Sequence, residues 1–79
     1  MTWRVVELGD TVWNVTCAAE RRAHNSSWQL VLSFRSARPP KSSFWAAYPL
    51  ESSSKSGLFA QAERISHDRL TAVLAEHLR

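Results

Sequence analysis

Residues 28–35, WQLVLSFR, carry a large apolar side chain at every second position. The apolar residues Trp28, Leu30, Leu32 and Phe34 alternate with Gln29, Val31, Ser33 and Arg35. A period of two sustained over a whole segment is typical of a β-strand that buries one of its faces. This segment therefore predicts a strand, and its neighbours along the chain indicate what pairs with it.

A second strand is predicted at residues 13–20, WNVTCAAE, for the same reason. Its apolar positions are Trp13, Val15, Cys17 and Ala19. Residues 21–27 separate the two strands and contain Asn25-Ser26-Ser27, whose residue types favour turns. The two strands and this loop predict a hairpin.

A first strand is predicted at residues 3–8, because Gly9-Asp10 suits a tight hairpin into the second strand. Its register has two alternatives. A two-residue loop places Arg4, Val6 and Leu8 on the face of Trp13, whereas a three-residue loop places Trp3, Val5 and Glu7 there. A slip of one residue exchanges the two faces of the strand. Either register leaves an apolar set for the opposite face of the sheet.

The segment 36–43 is predicted to be a loop, since Pro39-Pro40 has no N–H to donate to a sheet. A fourth strand follows at residues 44–50 and is stopped by Pro49. Residues 51–57, ESSSKSG, are predicted to form a flexible connector because serine and glycine dominate them.

Beyond Gly57 the apolar period changes to that of a helix. Leu70, Val73, Leu74 and Leu78 follow one another at i, i+3, i+4 and i+8, with Ser66 as the N-cap residue. Residues 58–65 favour a short helix, with an edge strand as the alternative. An amphipathic helix of this length needs a partner surface, and so does a sheet with one apolar face.

The predicted fold is a single α+β domain over residues 1–79. It consists of a four-stranded antiparallel meander sheet (3–50), the connector (51–57) and a helical segment (58–79), in which the C-terminal amphipathic helix packs on one face of the sheet. The predicted core comprises Trp13, Val15, Leu30, Leu32, Phe34, Leu70, Val73, Leu74 and Leu78.

Catalytic, metal-binding and cofactor-binding patterns are absent from the sequence. Cys17 is the single cysteine, and the three histidines have no paired ligand spacing. Two glycines are too few for a glycine-rich phosphate loop. Ser66-His67-Asp68 has the residue types of a hydrolase triad, but three consecutive residues at a helix start are explained by capping and the helix dipole. We therefore expect a non-enzymatic protein that uses no metal and no cofactor.

The expected location is the cytoplasm. No apolar run approaches the roughly 18 residues of a membrane-spanning helix, and the first residues do not have the pattern of a signal peptide. A secreted domain this small would usually carry several disulfides, for which the lone Cys17 offers no partner. A membrane partner is not expected.

The formal net charge is +3, and all of the excess lies before Trp45. Residues 1–44 contain the bases Arg4, Arg21, Arg22, Arg35, Arg38 and Lys41 and the acids Glu7, Asp10 and Glu20. An excess of positive charge in the sheet-forming half indicates an acidic partner there.

Trp45 is predicted to point away from the helix, because Phe44 and Tyr48 take the other face of the fourth strand. The candidate binding surface comprises Trp45, Arg35, Arg38, Lys41, Val31 and Trp3. Its apolar part predicts a protein-interaction module or a homo-oligomer. The alternative is a nucleic-acid-binding module, since cations beside an exposed aromatic ring hold phosphates while bases stack. A third interpretation is that Trp45 packs within its own chain, against the connector or residues 58–65.

Overall fold

The computed structural model describes residues 3–21 and 26–79. The strands are β1 (Arg4–Leu8), β2 (Thr11–Arg21), β3 (Trp28–Ser36) and β4 (Ser43–Ser52), and the helices are α1 (Lys55–Ala62) and α2 (His67–His77). The sheet has the order β1-β2-β3-β4, and every neighbouring pair is antiparallel. The predicted α+β arrangement with a meander sheet is confirmed. Neither described helix is long and apolar enough to cross a bilayer.

The first hairpin has the two-residue loop. Leu8 pairs with Thr11 and Val6 with Trp13, while Gly9 takes a φ of 59°. Positive φ is readily adopted by glycine, which explains the tight turn. In this register Val6 is buried, whereas the other register would have turned Glu7 toward Trp13. Residues 22–25 of the predicted loop between β2 and β3 lie outside the described residues.

The predicted connector is shorter in the structure. β4 continues to Ser52 and α1 begins at Lys55, which leaves only residues 53–54 between them. The Ser54 hydroxyl accepts a hydrogen bond from the Gly57 N–H and so caps α1. A Cβ at position 57 would come within 2.9 Å of the Ser52 and Ser54 hydroxyl oxygens, so a larger residue there would displace these hydroxyls, including the one that caps α1. The favoured helix over 58–65 is present to Ala62, and the edge-strand alternative is wrong.

Both helices cover the same face of the sheet and enclose the core. The buried apolar residues are Val6, Trp13, Val15, Leu30, Leu32, Phe34, Tyr48, Leu58, Ala62, Ile65, Leu70 and Leu74. Every predicted strand residue of the core is among them. Val73 is only half-buried, and Leu78, predicted in the core, is 47% exposed because α2 ends at His77. At this rim His77 stacks on Phe44 instead, with ring centroids 3.6 Å apart.

Candidate functional site

The face of the sheet opposite the helices, which we call the outer face, has three central rungs of paired residues, flanked by Glu7 with Val12 at one end and by Glu20, Gln29 and Glu51 at the other. The first rung is Val5, Asn14, Arg35 and Ser43; the second is Thr16, Ser33 and Trp45; the third is Ala18, Val31 and Ala47. Successive side chains of a strand point to opposite faces, so these residues all point away from the core. No described helix covers them. The outer face is therefore the side of the sheet that the described helices leave accessible.

Trp45 is the largest side chain on the outer face and is 62% exposed. It pairs with Ser33 on β3, and Ser33 is nearly fully buried beside it. α1 lies on the other side of the sheet, so the indole does not pack against residues 58–65 of its own chain. Most of the Trp45 side chain is therefore exposed to solvent on this face.

Arg35 is the cation nearest to Trp45 in the sheet. It pairs with Ser43, two residues before Trp45 on the same face of β4. Diagonal neighbours of this kind lie about 7–8 Å apart, within reach of a long side chain. The Arg35 side chain is exposed, so its guanidinium can reach a ligand that is stacked on the Trp45 ring.

An open depression of about 490 Å³ lies next to Arg35 at the end of the sheet, one rung away from Trp45. It is lined by Asn14, Arg35, Ser36, Ala37, Lys41, Ser42 and Ser43. The lining contains two cations, one amide and three hydroxyls, and no carboxylate. Such a set donates many hydrogen bonds and carries net positive charge, which suits an anion.

The loop between β3 and β4, residues 37–42, is held in place by hydrogen bonds that also position Lys41. The Ser36 N–H donates to the Ser42 carbonyl at 2.8 Å, and the Ser42 N–H donates to the Ser36 hydroxyl at 2.8 Å. The Lys41 ammonium donates to the Ala37 carbonyl at 3.0 Å. One ammonium hydrogen is used in this way, and the other two remain for a ligand.

Arg38 and Trp3 lie elsewhere. Arg38 lines a separate cavity of about 340 Å³, beside Trp13 and Leu78. The Trp3 indole N–H donates to the Glu63 carboxylate at 3.1 Å, and the Arg4 guanidinium lies 4.5 Å from its ring centroid. Of the predicted surface, the structure thus brings together Trp45, Arg35, Lys41 and Val31. Asn14 and the serines of the depression were not predicted, although the β2–β3 pairing places Asn14 opposite Arg35.

The Cys17 thiol is half-buried on the core side of β2. Burial, followed by the negative charge of Glu63, raises its pKa above the ordinary value. A thiol that stays protonated near neutral pH is a poor nucleophile. Among the described residues no group of three or more histidine, cysteine or acidic side chains is arranged to hold a metal ion.

Comparison with known proteins returned no match: no family model, no curated protein and no solved structure is significantly similar to this chain.

Proposed function

We propose that the protein is a binding module that holds single-stranded nucleic acid on its outer face. A base stacks on Trp45, and the neighbouring phosphates are held by Arg35 and Lys41. The observation that carries the proposal is the exposed indole beside a depression that has two cations and no carboxylate. Stacking platforms flanked by positive charge are the usual means of holding single strands.

Each group has a distinct part in this binding. Arg35 offers a planar fork that donates two hydrogen bonds to one phosphate, whereas Lys41 acts as a point charge. The Asn14 amide and the hydroxyls of Ser42 and Ser43 can donate to further phosphate or sugar oxygens, whereas the Ser36 hydroxyl already donates to the Pro40 carbonyl. Stacking on one aromatic ring contributes about 1–3 kcal/mol. With one ring and two cations, a single copy binds weakly and with little sequence preference.

A protein partner on the outer face, the other predicted function, receives less support. The large apolar side chains exposed there are Val5, on β1, and Trp45, on β4 at the opposite edge of the sheet. Small or polar residues such as Thr16 and Ser33 separate them, so they do not form a continuous apolar patch.

The compartment that we infer from the lone Cys17 is the reducing cytoplasm. A nucleic-acid-binding module meets single-stranded RNA in that compartment.

The test is titration of fluorescently labelled 12-nucleotide single strands, followed by anisotropy at several salt concentrations. Trp45→Ala is expected to weaken binding about 5- to 150-fold, which is the stacking energy converted at 1.4 kcal/mol per tenfold. Arg35 and Lys41 would neutralise two phosphates, so a plot of log Kobs against the logarithm of the salt concentration is expected to have a slope of about −1.4. Arg35→Ala should roughly halve that slope.

The matched control is Arg64→Ala, which removes one exposed cation from the helical side of the domain. It should leave the affinity within about twofold, because exposed charges on a distant surface are screened by salt. Absence of binding at low salt would refute the proposal. Equal losses for Arg64→Ala and Arg35→Ala would also refute it, since binding would then follow net charge and not this site.

A further inference from the structure

The free edge of β4 is chemically unlike the edge at β1, where the His67 imidazole already contacts the Val5 carbonyl at 3.0 Å. Both strands end the sheet, but β1 has five residues and carries Arg4 and Glu7. β4 has ten residues, and its first six, SFWAAY at positions 43–48, carry no charge. Long uncharged edges readily pair with another strand, and proteins usually prevent this with charges, prolines or short strands.

The register of the sheet shows which backbone groups β4 presents. The Ser36 N–H donates to the Ser42 carbonyl, so Ser36 and Ser42 form a hydrogen-bonded pair between β3 and β4. Such pairs alternate along an antiparallel ladder, so residues 44, 46 and 48 also bond toward β3. The N–H and C=O groups of Ser43, Trp45 and Ala47 then point to the free edge.

A second observation agrees with this assignment. The Ala37 N–H donates to the Val12 carbonyl, which makes the odd-numbered residues of β3 bond toward β2 and leaves its even-numbered residues for β4. Pro49 comes two residues after Ala47 and has no N–H to offer. The uncharged part of the free edge therefore covers residues 43–48, presents three outward residues and ends at Pro49.

We propose that two copies of this chain pair antiparallel through residues 43–48 of β4, with the two-fold axis at Trp45. Trp45 then lies opposite Trp45 of the second copy, and Ser43 lies opposite Ala47 on either side of the axis. Each of these three pairs exchanges two hydrogen bonds, which uses the outward groups of residues 43, 45 and 47 in both copies. The product is one continuous eight-stranded sheet.

The side chains of this segment suit pairing with itself. On the helix side, Phe44 meets Ala46 of the second copy, so a large ring faces a small residue at both symmetric positions. On the outer face, Ser43 meets Ala47 and leaves room for the two indoles at the axis. No like charges oppose each other, because the segment has none. This self-complementarity favours a second copy over an unrelated strand.

Pairing would also double the proposed site. The two Trp45 rings would lie next to each other, with the Arg35–Lys41 depression of each copy on its own side. One strand of nucleic acid could then engage both sites, and the second contact would be intramolecular. This consequence rests on the proposed function, whereas the pairing itself does not.

Light scattering coupled to gel filtration, without nucleic acid and over a hundredfold range of concentration, tests the pairing. The wild type is expected to reach twice the chain mass of 9.0 kDa. Ala47→Pro and Ser43→Pro each remove an outward N–H that no described residue uses and should run as monomers. Ala47→Ser keeps that N–H and should remain dimeric. Circular dichroism checks that each variant is folded. If one proline variant misfolds, the other still tests the pairing.

Cysteine cross-linking tests the register. Ser43→Cys mixed with Ala47→Cys should give a covalent dimer under mild oxidation, because paired Cα atoms lie about 5.5 Å apart. Either variant alone should not, since position 43 lies about 14 Å from position 43 of the second copy, four residues along the strand. A cross-link in the single variants would refute this register.

A wild type that stays monomeric at every concentration would overturn the pairing. If that monomer still binds single strands through Trp45, the pairing fails and the proposed function stands. If the protein is a dimer that binds no single strand at low salt, the pairing stands and the proposed function fails. Proline variants that dimerise as strongly as the wild type would also exclude the β4 edge.

Discussion

Alanine substitutions at Leu58 and Leu78 test the difference between the observed core and the core predicted from the helical pattern. Leu58 belongs only to the observed core, and Leu78 belongs only to the predicted one. Leu58 is fully buried between α1 and the sheet, while Leu78 is 47% exposed at the end of α2. Removal of a fully buried leucine side chain costs about 2–5 kcal/mol, including the cavity that it leaves. At Leu78 about half of a burial energy of 1.5–3 kcal/mol is at stake, which gives about 1 kcal/mol.

These costs are large on the scale of the domain. A chain of 79 residues is expected to have an unfolding free energy of about 4–12 kcal/mol. Leu58→Ala should therefore lower the melting temperature by at least about 8 °C, and Leu78→Ala by about 4–8 °C. Urea unfolding followed by tryptophan fluorescence measures the difference, provided that the slope is unchanged. A loss at Leu78 equal to or greater than that at Leu58 would refute the assignment of α1 to the core.

Two smaller perturbations test other parts of the structure. Ser54→Ala removes the cap of α1 and should cost about 1 kcal/mol in urea unfolding, whereas Ser53→Ala, which makes no cap, should cost almost nothing; equal effects would show that the cap is not formed. Because burial raises the pKa of Cys17 above 9.0, the folded chain keeps a proton that the unfolded chain loses at high pH. This thiol should thus leave the unfolding free energy unchanged below about pH 9 and should lower it as the pH rises further. Cys17→Ala should abolish the decrease that this thiol causes. Rapid alkylation of Cys17 at pH 7, at the rate of a free thiol, would contradict the assignment.

The strands were predictable because burial of one face imposes a period of two on β2 and β3. The register of β1 was not, since the Gly9 hairpin allows two loop lengths and only burial of Val6 against the sheet selects one. The start of α1 was missed for a different reason. Serine is common both in linkers and at helix caps, and Ser54 acts as a cap that the neighbouring serines obscure.

The positions of the candidate residues were predictable from strand parity in the sheet and were not predictable in the loop. Parity alone places Trp45, Arg35 and Val31 on one face, and the sheet register then adds Asn14. Arg38 and Lys41 flank the same two prolines, and a loop has no period that would tell them apart. Hydrogen bonds within the loop bring Lys41 to the depression and leave Arg38 in the other cavity.

Trp45 is the residue at which the outer face and the free edge meet, and the two proposals assign it separate parts. Base stacking uses its indole, whereas strand pairing uses its N–H and C=O groups, which every residue except proline possesses. Trp45→Ala should therefore abolish stacking and leave the dimer intact, while Ala47→Pro should abolish the dimer and leave single-site binding intact. A Trp45→Ala protein that is folded but monomeric would show that the indole itself holds the two copies together. The ring would then be buried in the dimer and could not stack on a base, so one measurement of mass decides whether both proposals can hold at the same time.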